Sequence, residues 1–324
     1  MQIYTSLDQI PAPFPFACVT IGNFDGVHLG HRKLFCKVSE LAHRHQGASI
    51  AVTFEPHPLK VVRPEIGIKL ISNYQQKVEL IEMAGLDALL AIPFTPEFAG
   101  MEAETFVERV LVGALGVREL VVGYDYAFGR GRRGNPGFLR EQGRQKGFGV
   151  TVIEPYAVDG IVVSSSKVRE LVAAGRMREV RKLLGRYYQI RGVVRVGKKR
   201  GGAVLGFPTA NLALNEEDLC PKHGVYVTQV IYDGRCYGGV LNIGYNPTFG
   251  DTRLAAETHI FDFNEDIYGQ PIKINLLHYL RGEMKFSGPE ALAAQIAKDV
   301  EAARLALTEA QQDLLLACDE QYNR

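Results

Sequence analysis

Short apolar runs rich in β-branched residues alternate with segments of helical periodicity from the start of the chain to about residue 185. "FACVTIG", "SIAVTFEP", "ALLAIPF", "ELVVGYDYAF" and "GVTVIEPY" have the length and composition of buried strands. Between them, His31 to His45 sets Leu34, Val38 and Leu41 on one face, "SNYQQKVELIEMAG" closes at Gly85, and "AETFVERVLVGALG" forms a third helical pattern. Such alternation joins parallel strands through helical crossovers, so the pattern predicts a doubly wound parallel sheet, an α/β fold. After "REVRKLLGRYYQIRG" the period falls to two. "YQIRGVVRV", "GVYVTQVIYDGRCYGGVLNIG", "ETHIFDF" and "PIKINLLHYL" read as antiparallel strands, and Asp233-Gly234 is a type I′ hairpin signal. A small antiparallel β-barrel is expected, followed by a helix from Pro289 with Leu292, Ile296 and Val300 on one face. The change of period divides the chain near Gly185 into residues 1–185 and 186–324, each long enough to own a core.

Charge and cysteine usage then remove some functions. A formal net charge of +1 supplies no basic field for nucleic acid, so an anionic ligand must be held by local charge. Cys18, Cys36, Cys220, Cys236 and Cys318 are odd in number and contain no CxxC pair, which argues against a disulfide framework and a zinc site. The N-terminus has no basic start before an apolar stretch, and no 18 uncharged apolar residues run together. A cytoplasmic protein with no nucleic-acid or membrane partner is expected, its oligomeric state left open.

The stretch "TIGNFDGVHLGH", residues 20–31, stands directly behind an apolar strand and ahead of a helix. A helix that starts there leaves backbone N–H groups aimed beyond the strand's end, which suits phosphate. Gly22, Gly26 and Gly30 permit close approach, while His28 and His31 can donate to phosphoryl oxygens as charge builds on them. Read bare, the same residues make a glycine-rich turn with two ordinary polar histidines. Residues 129–134, "GRGRRG", satisfy a dinucleotide-binding GxGxxG, and Glu154 follows Gly134 by 20 residues. Three arginines and Pro136 crowd that segment, so a redox Rossmann site is the weaker reading.

In its "GNFDGVHLGH" the chain resembles the nucleotidylyltransferase superfamily, and "VSSSKVR", residues 163–169, looks like that family's second phosphate element, with Ser166 where threonine is usual. The resemblance implies that Gly22, Asn23, Phe24, Asp25, Gly26, Gly30, Ser164, Ser165, Ser166 and Arg169 hold ATP and its phosphates, with Lys167 adding charge. It also places Gly123, Asp125 and Tyr126 near the nucleoside, and Phe54, Pro56 and His57 of "TFEPHP" beside the acceptor. His57 reads equally as a loop histidine between two prolines.

In the second half, "GKKRGGAVLG" could close over a triphosphate or be a plain hairpin, and "GFPTAN" follows it. Thr209 and Asn211 there offer oxygen ligands to a hard cation such as Mg²⁺. "PTAN" with a downstream "ETHIFDF" and "LR" resembles the riboflavin kinases. That likeness implies Glu257 as catalytic base, Mg²⁺ with ATP at Thr209 and Asn211, and ATP or flavin contacts from Gly197, Lys198, Gly206, Pro208, Asn242 and Arg281. Taken alone, Glu257 is a surface strand carboxylate. Period-2 geometry puts Glu257, His259, Phe261 and Phe263 on one face, with Thr258, Ile260 and Asp262 on the other.

Together the two likenesses span nearly the whole chain in the order seen in the bacterial bifunctional riboflavin kinase/FMN adenylyltransferases, or FAD synthetases. They imply riboflavin, FMN and ATP as substrates, with flavins as substrates and products. Two alternatives stay open. One is a nucleotidylyltransferase for another phosphorylated acceptor with a degenerate β-domain, and the other is a nucleotide-binding protein whose barrel binds RNA.

Overall fold

The computed structural model describes residues 1–195, 206–245 and 254–322. Its contacts divide the chain into two compact units, Met1–Val168 and Arg169–Arg324.

In the first unit, six parallel strands run β1 (Gln2–Tyr4), β2 (Ala17–Ile21), β3 (Ala48–Glu55), β4 (Ala88–Pro93), β5 (Val117–Gly123) and β6 (Gly149–Ile153). Their spatial order is β1-β4-β3-β2-β5-β6. β2 is buried at every position because both of its faces are covered, which is why it reads as a continuous apolar run rather than an alternating one. One face packs against α1 (Leu29–His45) through Leu34, Phe35, Val38 and Leu41, and against Ile81 of α3 (Tyr74–Met83). The short helix α2 (Pro58–Val62) follows β3, and α4 (Pro96–Ala99) follows β4. The opposite face packs against α5 (Ala103–Phe106), its wider π-helical continuation Val107–Ala114, and α6 (Pro136–Lys146). The expected helix over "AETFVERVLVGALG" is thus present, although most of it is wound as π-helix, which is rare over this length. A small hairpin, β7 (Ala157–Val158) with β8 (Ile161–Val162), precedes α7 (Ser165–Ala173), within which the division of units falls.

The second unit adds α8 (Met177–Leu184) and a closed barrel in the order β10-β13-β12-β11-β14-β9. Its strands are β9 (Tyr188–Arg195), β10 (Ala210–Ala213), β11 (Gly224–Tyr232), β12 (Arg235–Tyr245), β13 (Leu254–Ile260) and β14 (Pro271–Arg281), and every neighbouring pair is antiparallel. α8 packs on β9 and β14, which is why contacts group it with the barrel, ahead of the boundary expected at Gly185. Asp233 (φ 45) and Gly234 (φ 71) both adopt the left-handed backbone that a type I′ hairpin requires. Tyr226, Val230, Leu241, Ile243, Ile274 and Leu276 are buried on the inward-facing positions. The last helix, α9 (Pro289–Tyr322), lies on the outer face, where Val300 and Ala303 cover Val225, Val227, Val240 and Phe261.

Beyond Ile260 the alternation expected for "ETHIFDF" breaks. β13 ends there, Asp262 turns with φ 54, and Phe261 is buried while Asp262 is exposed. Period two holds only while the chain stays extended, and the turn breaks it.

Candidate active sites

In the first sheet the strand order reverses at β2, with β3, β4 and β1 on one side and β5 and β6 on the other. Loops leaving the carboxyl ends of β2 and β5 diverge at such a point and open a crevice for ligands. The turn Gly22–His28 leaves β2, and the turn that begins at Gly123 leaves β5.

The first turn is fixed from several directions. The buried Asp25 carboxylate accepts from the backbone N–H of Ile71 at 3.1 Å and of Ser72 at 3.2 Å. Gly26 N–H donates to Ser72 Oγ at 3.0 Å, Ser165 Oγ donates to the Asp25 carbonyl at 3.0 Å, and Thr53 Oγ1 donates to the Asn23 carbonyl at 3.2 Å. These bonds hold Phe24 (φ 48) and Val27 (φ 38) in left-handed backbone, which costs a non-glycine residue roughly 1–2 kcal/mol. At Gly26 (φ +76) glycine is required, since a Cβ would lie 2.6 Å from Ile71 Cγ2.

His28 caps α1. Its Nδ1 accepts the His31 N–H at 3.3 Å, so in the neutral ring the proton sits on Nε2. The His31 ring stacks on that of His28, with centroids 3.6 Å apart and 16° between planes. Two imidazoles are thus held together over the first turn of a 17-residue helix, where backbone N–H groups and the helix dipole favour an anion.

The Phe24 side chain turns into the fold, which leaves its backbone as the part that can meet phosphate. Its ring is fully buried and packs edge-on against His31 and Phe35 at 5.2 and 4.8 Å, so it supports the histidine from beneath. The Asp25 carboxylate is engaged by the Ile71 and Ser72 N–H groups of the loop before α3. The serines of "VSSSKVR" divide their work. Ser164 Oγ accepts Lys167 N–H at 3.2 Å and keeps its own proton for a ligand, whereas Ser165 gives its proton to the Asp25 carbonyl. Ser166 is exposed, and Arg169 lies one turn beyond Ser165 on α7, past the division of units.

After β5, Tyr126 N–H donates to the Gly123 carbonyl at 3.1 Å, which leaves Asp125 exposed at the turn. The Tyr126 hydroxyl is buried with no hydrogen-bond partner among the described residues, and burial pushes its pKa far above the ordinary phenol value. "GRGRRG" closes on itself through paired Phe128 and Gly134 backbone bonds of 3.0 Å, so it is not a strand-to-helix phosphate turn. At the end of β3, Phe54 packs with Phe94 and Phe98 at 5.5 and 5.9 Å. Pro56 is exposed, and the buried His57 caps α2 by accepting Leu59 N–H on Nδ1 at 3.2 Å.

Strand register builds the second site. Asn211 of β10 pairs with Glu257 of β13, Glu257 with Asn242 of β12, Asn242 with Val225 of β11, and Val225 with Arg281 of β14. Directly opposed residues of antiparallel strands project to the same side, so these five form one row on the outer face. Thr209 stands just before β10 and lines a cavity of about 350 Å³ with Pro208, Ile260, Phe263 and Asp266. His259, on the same face as Glu257, donates from Nδ1 to the Pro208 carbonyl at 2.9 Å, since a carbonyl can only accept. Gly206 is exposed with φ +74. Gly197 and Lys198, with the rest of the basic loop through residue 205, lie outside the described residues, as do residues 246–249 of "NIGYNPTF".

At the other end of the row, Arg281 donates from Nε and Nη2 to Asp299 of α9 at 3.0 and 2.6 Å, and from Nη1 to the Gly282 carbonyl at 2.9 Å. Gly224 (φ +139) lies beside it, and a Cβ there would run into the Arg281 carbonyl. Sequence reading missed Ser72 and Asp299. Asp299 had a signal, because it falls on the same helical stripe as Leu292, Ile296 and Ala303, where a charge must find a partner. Ser72 had none, because it serves through tertiary contact alone.

Residues 14–167 match the family model described as FAD synthetase, and residues 184–307 match that described as riboflavin kinase. Several relatives carry the name bifunctional riboflavin kinase/FMN adenylyltransferase. The Listeria monocytogenes protein is 35% identical over 87% of this chain and 89% of its own, and the Escherichia coli K12 protein 35% identical over 90% and 93%. The Pseudomonas fluorescens protein is 37% identical over 94% and 97%. A crystal structure from Streptococcus pneumoniae described as a macrolide-efflux protein superposes with TM-score 0.83 at 28% identity, over 93% of this chain and 98% of that one. No helix among the described residues is long and apolar enough to cross a membrane.

The clamp on the first turn yields a direct expectation. Asp25→Ala leaves two buried N–H groups without their acceptor and should lower stability by about 2 kcal/mol. Amide exchange at Ile71 and Ser72 should accelerate with it. Unchanged protection of both amides would contradict the assigned role.

Proposed function

The chain belongs to the family of bifunctional riboflavin kinase/FMN adenylyltransferases, and from that premise we propose which of its residues perform each step. It phosphorylates riboflavin to FMN with ATP and adenylylates FMN with a second ATP, releasing pyrophosphate as FAD forms. We assign adenylyl transfer to the first unit and phosphoryl transfer to the barrel. The observation that carries this assignment is that each family match falls on a unit with its own set of polar groups, the stacked His28–His31 pair in one and the Asn211–Glu257–Asn242 row in the other.

For adenylyl transfer, the α-phosphate of ATP sits over the first turn of α1. His28 Nε2–H and the His31 ring donate to its oxygens as they gain charge, and no protein nucleophile is needed because the FMN phosphate attacks directly. Because Nδ1 of His28 is held by the His31 N–H, the donating nitrogen is aimed before substrate arrives. Ser164, with its proton still to give, is the serine best suited to the β- and γ-phosphates, assisted by Lys167. Gly123 and Asp125 border the nucleoside, and the end of β3, with Phe54, Pro56 and His57, borders the acceptor flavin.

For phosphoryl transfer, Glu257 accepts the proton of the riboflavin 5′-hydroxyl as its oxygen bonds to the γ-phosphorus and ADP leaves. Asn242 and Asn211 flank the carboxylate in register and orient the hydroxyl and the phosphate. Thr209 and Asn211 suit Mg²⁺. Asn211 Nδ2 donates to the Thr209 carbonyl at 3.2 Å, which turns Oδ1 the other way, and the donors are neutral oxygens of the kind this cation takes alongside phosphates. When bound, the ion would neutralise charge on the phosphates. His259 keeps the Pro208–Thr209 segment in place, and Gly206 borders the nucleotide. Arg281, held by Asp299, marks the flavin end of the row.

The competing readings gain nothing from the comparisons, since the riboflavin kinase match extends across the barrel. A cytoplasmic setting completes the proposal.

In the full chain, replacing both His28 and His31 with alanine should leave riboflavin phosphorylation intact while FMN accumulates, with FAD formation reduced by at least about 10²-fold. Glu257→Gln should do the reverse, slowing FMN formation by roughly 10² to 10⁴-fold while added FMN still becomes FAD. Chromatographic resolution of the flavins reads both. A histidine variant that makes FAD at the parent rate would remove the pair from the site, and an undiminished Glu257→Gln kinase would remove the base.

A further inference from the structure

α3 places a lysine on the stripe that packs into the core. Lys77 lies one helical turn before Ile81, and its side chain is 6% exposed. An unpaired ammonium at that depth would be expelled or neutralised. Here it is held, because Nζ donates to the Phe54 carbonyl at 3.3 Å and to Glu55 Oε2 at 3.4 Å, with the Tyr74 ring centroid 5.9 Å away. Burial lowers the lysine pKa, while attraction to Glu55 and to Asp25 works against that shift. A single buried cation therefore ties down the carboxyl end of β3 through Phe54 and Glu55.

Packing alone does not ask for this charge. A methionine fills a similar volume without desolvating an ion. The need for it lies at the strand's end. Glu55 keeps 37% of its side chain exposed, and it sits between Phe54 and Pro56 in the segment assigned to the acceptor. A phosphate monoester dianion approaching that segment meets the Glu55 carboxylate, and the Lys77 ammonium stands 3.4 Å from that carboxylate.

We propose that Lys77 is a positioning residue of the adenylyl-transfer site, fixing the Phe54–Glu55 end of β3 and cancelling the Glu55 charge so that the phosphate of the acceptor flavin can approach. This rests on the reading of the first unit as the FMN adenylyltransferase. The role is electrostatic as well as geometric, so its signature is a sign pattern that loss of packing cannot produce. Removing the cation leaves an uncompensated carboxylate and weakens FMN binding. Removing the carboxylate leaves an uncompensated cation and strengthens it. Removing both restores neutrality.

Steady-state adenylylation of FMN by the full chain tests this, with riboflavin phosphorylation by the same samples as the check on their concentration, and the thermal unfolding and far-UV circular dichroism of each variant as the check on the fold of the first unit. Lys77→Met should raise KM for FMN on the order of tenfold, and Glu55→Gln should lower it a few-fold. The Lys77→Met/Glu55→Gln double variant should return to within about threefold of the parent, and Lys77→Arg, which keeps the charge, should stay closer to the parent than Lys77→Met. Added salt should shrink the differences. If Lys77→Met does not fold, Glu55→Gln and the double variant decide, because a rise in KM for FMN in the former or no return in the latter overturns the proposal. Loss of thermal stability in Lys77→Met with KM unmoved overturns it too. A parent protein that makes no FAD from FMN and ATP would overturn the functional reading itself, an outcome distinct from variants that all keep the parent's KM.

Discussion

Asp25 accepts the N–H groups of Ile71 and Ser72, and by that bond the turn after β2 is fixed to the loop that leads into α3. The rest of the first site depends on this constraint. A chain with a net charge of +1 has no general field with which to gather a triphosphate, so it must present backbone donors and side chains already aimed. Left-handed residues at Phe24, Gly26 and Val27 bring His28 to the cap of α1, and the cap in turn sets the ring's tautomer and the stack with His31. Ser165 extends the same clamp to the start of α7, so the two segments proposed to bind phosphate, remote in sequence, share one hydrogen bond.

In the barrel the corresponding constraint is register. Asn211, Glu257 and Asn242 are 46 and 31 or 15 positions apart along the chain, yet the antiparallel pairing of β10, β13 and β12 sets them side by side. A slip by one residue would turn all three into the barrel interior and expose Thr258 and Leu241. The inward positions, mostly apolar and buried, hold the register, so core packing protects Asn211, Glu257 and Asn242 although none of the three lies in the core. α9 closes the far end by covering Val225 and neutralising Arg281 through Asp299.

Much of this was legible in the sequence, for identifiable reasons. The long buried strands and the period change near Gly185 reveal the two-unit α/β and barrel design because each strand's pattern is set by what covers it. β1 with three residues and β10 with four are too short to carry a period. α6 escapes notice because Leu139 and Gly143 are its only buried positions. Among the site residues, the histidines and Glu257 stand out because their chemistry is unusual for a turn or a strand face. The roles of Phe24, Asp25 and Ser165 do not, since whether a polar or aromatic group faces a ligand or its own fold depends on partners tens of positions away. Lys77 could have been noticed as a charge on the buried stripe of α3.

The account's central claim is that one chain transfers two different groups of ATP to the same flavin in succession. Parallel incubations of the purified protein with riboflavin, Mg²⁺ and ATP labelled at either the γ- or the α-phosphate test it most directly. Transfer of the γ-phosphoryl group to the riboflavin hydroxyl, followed by attack of that phosphate on the α-phosphorus of a second ATP, places one label from each position in FAD. The account predicts equal molar incorporation of the two labels, with FMN carrying the γ label alone. FAD that lacks the γ label, or riboflavin that remains unconsumed, would contradict it.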